Sequence, residues 1–241
     1  LEFRRVLFRS GLIKTGVAAD LNELFINGWS KEEEQDMFIR AGWDAALADG
    51  KRYAVQIFPS AQNLFYRKDL FEQANIDPKS IKTWDQFIAA AQKLTKKAAD
   101  GTVEVWGFGM PLSIEKADTN PFLYSLISLQ GDAFKDGKPW YATDAGVQSL
   151  MLQANFVMRD GITPLDALTY SADEIVDQFA AGKYAIIIGP ASRYETIQKA
   201  ATWDPNALGI LQMPNWTDER YGPATVKGWW AAVWKDSKRK E

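Results

Sequence analysis

Apolar and polar residues repeat along this chain with two periods, which predicts helices and strands in alternation. Helices are predicted where apolar residues recur about every 3.6 positions. Three of them begin with Ser or Thr three residues before Glu or Gln, the capping-box pattern, at Ser30, Thr83 and Ser171. The predicted helices cover residues 31–48, 68–74, 84–99, 121–129, 144–159, 172–182 and 194–200.

Strands are predicted from short apolar runs and from strict alternation. The run "KYAIIIG" at 183–189 is apolar without a break, which predicts a strand covered on both faces. The polar segment "PSAQN" at 59–63 is predicted to be a loop between two strands. Because strands and helices alternate, the predicted fold class is α/β with a largely parallel or mixed sheet. The predicted strands cover residues 52–58, 64–66, 105–111, 183–189, 208–214 and 228–234.

The helix predicted at 144–159 carries an apolar stripe that defines its expected buried face. That face is expected to consist of Val147, Leu150, Ala154 and Val157.

Composition narrows the class of protein. The chain has 241 residues, 46% of them apolar and 24% charged, as in a globular protein with one large or two small domains. Its net charge of −3 gives no reason to expect nucleic acid as a partner. The absence of Cys and His from the sequence excludes thiol nucleophiles, Cys/His zinc sites and Ser-His triads.

No cofactor or metal is expected from the motifs. The segment "VWGFGMP" has two glycines of a dinucleotide-binding fingerprint but lacks the third, and Pro111 stands where the helix should begin. No calcium-loop pattern is present. The carboxylates at 32–34 and 173–177 invite a glycosidase interpretation, but both sets lie in first turns of capped helices, where the helix dipole favours negative charge.

Five motifs in order carry a resemblance to a known family. They are "DGKRYAVQIFPSAQNLFYRKDLFEQANID", "IKTWDQFIAAAQKL", "QFAAGKYAIIIGP", "LGILQMP" and "KGWWAAVWKDSK". From residue 11 to 241 the chain resembles the extracellular solute-binding proteins of ABC sugar importers, the maltose-binding-protein-like family. The one local departure is "YRKD" at 66–69 where "YNKD" is common, and Arg67 is expected to face solvent.

The resemblance implies an α/β, two-lobed fold of the periplasmic-binding-protein type II class, in which lobes close on a ligand between them. It divides the chain into residues 11–59 of the N-terminal lobe, 60–225 of the C-terminal lobe and 226–241, which return to the N-terminal lobe. Residues 1–10 are expected to be a non-native scar. The chain is expected to be an internal fragment, and to bind sugar more weakly than its parent.

Candidate ligand contacts follow from this resemblance. Sugar sites need polar groups for hydroxyls and flat aromatics for C–H faces. On "PSAQN", the candidates are Ser60, Gln62 and Asn63, with the alternative that they cap strand ends. Other candidates are Asn120, Tyr124, Ser192 and Arg193, and for Arg193 the alternative is a surface ion pair.

Trp229 and Trp230 supply the aromatic candidates. Neighbouring residues of a strand face opposite sides, so one tryptophan is expected to face the cleft and the other the core. Matching positions in the family favour Trp230 for the ligand and Trp229 for the core.

The implied function is non-catalytic capture of a sugar or oligosaccharide and its delivery to an ABC transporter permease. The expected partners are the sugar and the permease subunits, with no nucleic acid, and the protein is expected to be a monomer. The parent is expected to be periplasmic or extracellular and lipid-anchored. The alternatives are another small solute on the same fold (a polyamine or amino acid) and a carbohydrate-active enzyme, which would need two carboxyl groups about 5–10 Å apart in the cleft. The residues do not name the sugar, its length or its linkage.

Overall fold

The protein divides into two compact units. The first comprises Leu1–Ala61 with Val226–Glu241, and the second comprises Gln62–Thr225. The sequence predicted the first division between residues 59 and 60, whereas it falls between 61 and 62, inside a strand. That these units are the N- and C-terminal lobes stays a prediction. The structure, a computed structural model, describes residues 15–24, 26–36, 43, 46–113, 121–136, 138–218, 222–223 and 226–238.

Helices and strands alternate through the described residues. The helices are α1 (Leu21–Leu24), α2 (Lys31–Gln35), α3 (Lys68–Gln73), α4 (Trp84–Leu94), α5 (Pro121–Gln130), α6 (Asp144–Met158), α7 (Ala172–Ala180) and α8 (Tyr194–Ala200). The strands are β1 (Leu47–Ala48), β2 (Lys51–Arg52), β3 (Val55–Arg67), β4 (Lys96–Lys97), β5 (Val103–Gly109), β6 (Phe134–Lys135), β7 (Lys138–Pro139), β8 (Tyr184–Pro190), β9 (Leu208–Leu211) and β10 (Val226–Ala231).

The first unit is built around two tryptophans and an arginine. Strands β1 and β2 form a hairpin, and β10 pairs antiparallel with the first part of β3. Trp43 is almost fully buried, the Arg52 guanidinium lies 3.5 Å from its ring centre, and Trp29 stacks on it at 5.6 Å. Burial of the Arg52 charge is stabilised by its bond to the Trp43 carbonyl oxygen.

The second unit contains a mixed sheet, one of the two sheet types predicted. The rest of β3 pairs antiparallel with β8 on one side and with β9 on the other. Strand β5 runs parallel to β8, and β4 pairs antiparallel with β5. Helices cover both faces of β8, so Ile186 and Ile188 join one core cluster and Ile187 joins another. The burial of "KYAIIIG" on both faces is therefore confirmed.

The predicted loop at 59–63 is wrong. These residues lie inside β3, which is continuous for 13 residues. Pro59 lacks an N–H, and proline is tolerated in a strand where one edge carries no partner. Among the described residues, Pro59 pairs only with Gly228 of β10, so the other edge of β3 carries no partner at this position. The polar sequence predicts a loop because the strands that pair with this segment are far away in the sequence and leave no local pattern.

Two helices are shorter than predicted. The helix expected at 31–48 ends at Gln35 in the structure, residues 37–42 lie outside the described residues, and Leu47–Ala48 is a strand. Helix α4 ends at Leu94 rather than 99, because Lys96–Lys97 pairs with β5. All three predicted capping boxes are confirmed, with side chain and backbone bonded reciprocally.

Helix α6 buries a different face from the predicted one. The buried residues include Gly146, Ser149, Leu152 and Phe156, whereas Leu150 is 58% exposed. The expected face also fails at Val147 and Ala154, which are exposed, and at Val157, which is half-buried. The reason is close packing on α5: the Ser125 hydroxyl donates to Ser149 Oγ at 2.8 Å, a contact that larger apolar side chains would prevent.

Arg67 is buried, contrary to the expectation that it faces solvent. Its guanidinium lies 4.4 Å from the Trp203 ring centre, and its Nε donates to Asp69 Oδ1 at 2.8 Å. The hydrogen bond from Arg67 holds the pKa of the Asp69 carboxyl below its usual value. This arginine fastens the end of β3 to the start of α3.

We expect the substitution Ser171→Ala to lower the free energy of unfolding by about 1 kcal/mol. Ser171 Oγ accepts from the Glu174 N–H at 3.3 Å, and alanine leaves that donor of α7 without its cap. Urea unfolding followed by circular dichroism measures the loss. Ser171→Thr, which keeps the oxygen, should retain most of the stability. Equal midpoints for the alanine variant and the original would show that the cap contributes nothing.

Candidate functional site

The three polar candidates that the sequence placed in a loop lie on strand β3. Gln62 is almost fully buried opposite Pro190, and Asn63 is half-buried opposite Gly189. Ser60 lies on the part of β3 that belongs to the first unit, opposite Lys227. Because β3 continues on both sides of these residues, they do not cap an end of β3 itself.

Ser60 has the least satisfied side chain of the three. It is 7% exposed, and its Oγ has no hydrogen-bond partner among the described residues. A buried hydroxyl without a partner costs about 1–3 kcal/mol, so native proteins rarely keep one. That Ser60 contacts a ligand stays a prediction.

The two tryptophans of β10 take positions different from those expected. Trp230 is half-buried and packs against Ala46 and Ala54 of the first unit. Trp229 is 44% exposed, so its assignment to the core is wrong. A β-bulge lies beside this pair: Trp229 is opposite Phe58 and Trp230 is opposite Gln56, which leaves Ile57 as an extra residue on β3. Which tryptophan contacts a ligand stays a prediction.

Gly228, the residue before the tryptophans, is required by close approach of the two strands. A Cβ at this position would lie 2.0 Å from the Phe58 carbonyl oxygen. Real side chains do not approach a backbone so closely, and β10 could not keep this register with any other residue. The backbone therefore sets the position of Trp229.

The candidates after β8 lie at the surface. Ser192 is exposed within the short 3-10 helix Ala191–Arg193. Arg193 forms an ion pair with Asp173 at the start of α7, which is the alternative considered from the sequence. Both groups of that pair are well exposed, so the pair adds little stability.

Of the two remaining candidates, the structure describes only Tyr124. Tyr124 is 1% exposed and belongs to the core cluster of the second unit. Its ring therefore packs α5 against the core of the second unit and does not lie at the surface. Asn120 lies outside the described residues, so its position is not defined.

Phe58 is a candidate that the sequence pattern did not reveal. It is 45% exposed and lies directly opposite Trp229. The only signal is the pairing register of β3 with β10, two strands about 170 residues apart, and a distant pairing of this kind cannot be read from hydrophobic periodicity. The described residues contain no group of three or more Asp or Glu side chains placed to hold a metal ion.

The chain belongs to the family of bacterial extracellular solute-binding proteins, which its residues 7–241 match. The resemblance drawn from the five motifs is confirmed. The arabinooligosaccharide-binding protein of Bacillus subtilis (strain 168) is 24% identical over 213 residues, which are 87% of this chain and 47% of that protein. The chain spans about half the length of the curated relatives it matches.

Solved structures show the same fold. A solute-binding protein of Thermotoga lettingae TMO bound with alpha-D-tagatose has a TM-score of 0.79 at 19% identity, over 97% of this chain and 57% of that one. A solute-binding protein of Agrobacterium radiobacter K84 in complex with ribitol has a TM-score of 0.77 at 19% identity, over 97% and 57%. The chain therefore has part of the two-lobed α/β fold of these proteins, as predicted.

Proposed function

We propose that this chain is part of a binding protein that captures a sugar or oligosaccharide and delivers it to the permease of an ABC importer. Family membership supports the proposal, because the family consists of extracellular solute-binding proteins. The ligand named for the Bacillus subtilis relative, an arabinooligosaccharide, supports a sugar in particular. In the described part of the chain, no helix has the length and apolar character needed to span a bilayer. We place the protein outside the cytoplasmic membrane, lipid-anchored and monomeric.

The observation that carries the proposal is the buried hydroxyl of Ser60, which has no hydrogen-bond partner among the described residues. It lies on β3 immediately before the residue where the chain passes from the first unit to the second. Ligand hydroxyls are suitable partners for it, since each can donate and accept a hydrogen bond. The proposed role involves no catalysis. The carboxylates Glu33 and Glu174 already accept from the N–H groups of their own helix caps, so they serve α2 and α7 instead of a reaction.

A thermal-shift screen of the intact gene product tests the proposal. The panel contains glucose, galactose, arabinose, tagatose, maltose and arabinobiose, with spermidine and glutamate for the other solutes. We expect at least one sugar to stabilise the protein, by about 2.7 kcal/mol at 100 times its Kd. Stabilisation by spermidine or glutamate alone, or by nothing in the panel, would contradict a sugar-binding function.

Ser60→Ala examines the role of the hydroxyl itself. We expect it to raise the free energy of unfolding by about 1 kcal/mol, since an unsatisfied buried group is removed. The same change should weaken sugar binding by roughly 3–10-fold, the worth of one hydrogen bond. Ser171→Ala is the matched control, because it should lower stability and leave affinity unchanged. If Ser60→Ala binds sugar as tightly as the original protein, Ser60 is not a contact.

A further inference from the structure

Sulfur occurs in this chain only in its five methionines, because the sequence contains no cysteine. The structure describes four of them, and Met37 lies outside the described residues. We infer that Met151 and Met158, on the exposed side of α6, form a site of reversible oxidation by peroxides. Each of these two thioethers becomes a sulfoxide, while Met110 and Met213 stay reduced.

Exposure divides the four described methionines into two pairs. Met158 is 78% exposed and Met151 is 53% exposed, whereas Met110 is fully buried and Met213 is 5% exposed. Both buried methionines belong to the same core cluster of the second unit. A peroxide dissolved in water therefore reaches the exposed pair directly, and it reaches the buried pair only when the core opens.

Met151 and Met158 share the outer face of α6, which consists of these two residues with Val147, Leu150 and Ala154. The two methionines are seven residues apart, which is two helical turns or about 10 Å along the axis. All five side chains are exposed. The side chains of valine, leucine and alanine have no lone pair for a peroxide to attack, so the reaction on this face is confined to the two methionines.

The reaction needs only the thioether and the peroxide. A lone pair on Met158 Sδ attacks one oxygen of hydrogen peroxide, so that an S–O bond forms and the O–O bond breaks. The sulfur loses two electrons to the second oxygen, which leaves as hydroxide and becomes water by taking the proton of the first. Charge separates along this path, and water around an exposed sulfur solvates these charges, whereas a buried apolar site does not.

Oxidation has opposite consequences at the two pairs. A sulfoxide is polar, and on the outer face of α6 water supplies its hydrogen bonds, so the fold stays intact. In the core, a sulfoxide at Met110 or Met213 would be a buried polar group among apolar side chains, which opposes folding. The reaction at the exposed pair is also reversible, because methionine sulfoxide reductases restore the thioether.

The test follows oxidation of the 241-residue chain by hydrogen peroxide, residue by residue, with peptide mass spectrometry. We expect Met158 to gain oxygen first and Met151 second, both at least about tenfold faster than Met110 and Met213. Concentrated urea should change the rates of the exposed pair by less than about threefold, and should accelerate the buried pair by about a hundredfold or more, because those two react only from opened states. Circular dichroism should not change while the exposed pair reacts.

Leucine variants identify the sulfur atoms that react. Met151→Leu and Met158→Leu keep a similar apolar volume and remove the thioether. Each should abolish one of the two fast oxygen additions, and the double variant should abolish both. Met110→Leu is the matched control, since it removes a buried thioether and should leave both fast additions unchanged. Methionine sulfoxide reductases should return the oxidised original chain to its starting mass.

Four results would overturn the assignment. Equal rates at Met158 and Met110 in buffer would show that exposure does not select the site. Oxidation of the exposed pair in urea alone would show that the outer face of α6 is covered in solution. Unfolding during the fast additions would show that the sulfoxides are not tolerated on α6, and masses that the reductases fail to restore would exclude reversibility. The intact gene product should give the same order of rates.

Discussion

Phe156→Ala is expected to lower the free energy of unfolding by about 3–5 kcal/mol, the usual cost of truncating a buried phenylalanine. Phe156 is fully buried in α6, and its ring centre lies 5.5 Å from that of Phe108, 6.1 Å from Trp84 and 6.1 Å from Phe87. Truncation removes one ring of this four-ring cluster and leaves a cavity between α6, α4 and β5. Urea unfolding of the 241-residue chain, followed by circular dichroism, measures the loss.

Leu150→Ala is the matched control on the same helix. Leu150 is 58% exposed, so its truncation should change stability by less than about 0.5 kcal/mol. The two variants together test which face of α6 is buried, since the hydrophobic period alone assigns Leu150 to the core. A loss at Leu150 as large as that at Phe156 would show that the outer face of α6 is covered in solution.

We expect Gly107→Ala to lower the free energy of unfolding by about 3 kcal/mol or more, which is at the upper end of the losses caused by overpacking. A Cβ on Gly107 would lie 1.9 Å from the Ala91 carbonyl oxygen, so helix α4 or strand β5 would have to move. The movement would also disturb the hydrogen bond from the Gly107 N–H to Thr95 Oγ1, which is 3.1 Å long. The backbone of α4 cannot yield as a flexible side chain can.

Gly189→Ala provides the comparison for Gly107. It lies on β8, the strand next to β5, and the nearest atom to its Cβ would be a Phe65 ring carbon at 3.4 Å, an ordinary contact. We expect Gly189→Ala to change the free energy of unfolding by less than about 1 kcal/mol. Similar large losses in both variants would mean that the strands tolerate no side chain at either position, and that the close approach of α4 is not the cause.

The candidate site was recovered only in part from the sequence. Ser60 was selected for its polarity and for its place beside the division between lobes that the family resemblance implies, and the structure adds that its hydroxyl is buried without a partner among the described residues. The exposed member of the tryptophan pair is Trp229, not Trp230, because Trp230 packs on Ala46 and Ala54 and neighbouring residues of a strand face opposite sides. Nothing in the sequence around Phe58 indicated that this residue belongs to the candidate site.

The sequence by itself determined the features that depend on neighbours within a few residues. The helix starts at Ser30, Thr83 and Ser171 were predicted correctly because a capping box is a pair of bonds between residues three positions apart. The strand "KYAIIIG" was recognised because an unbroken apolar run requires cover on both faces. The order of five such motifs was enough to indicate the family.

Only the tertiary structure decided which surfaces meet. Ser149 faces Ser125 of α5 and Gly146 packs against the backbone of Tyr141, although Val147 and Leu150 are more apolar. The segment 59–63 is a strand because β10 and β8, both far away in the sequence, pair with it. Periodicity records how apolar each residue is, whereas burial and strand pairing depend on the shape and backbone hydrogen bonds of whatever segment packs against it.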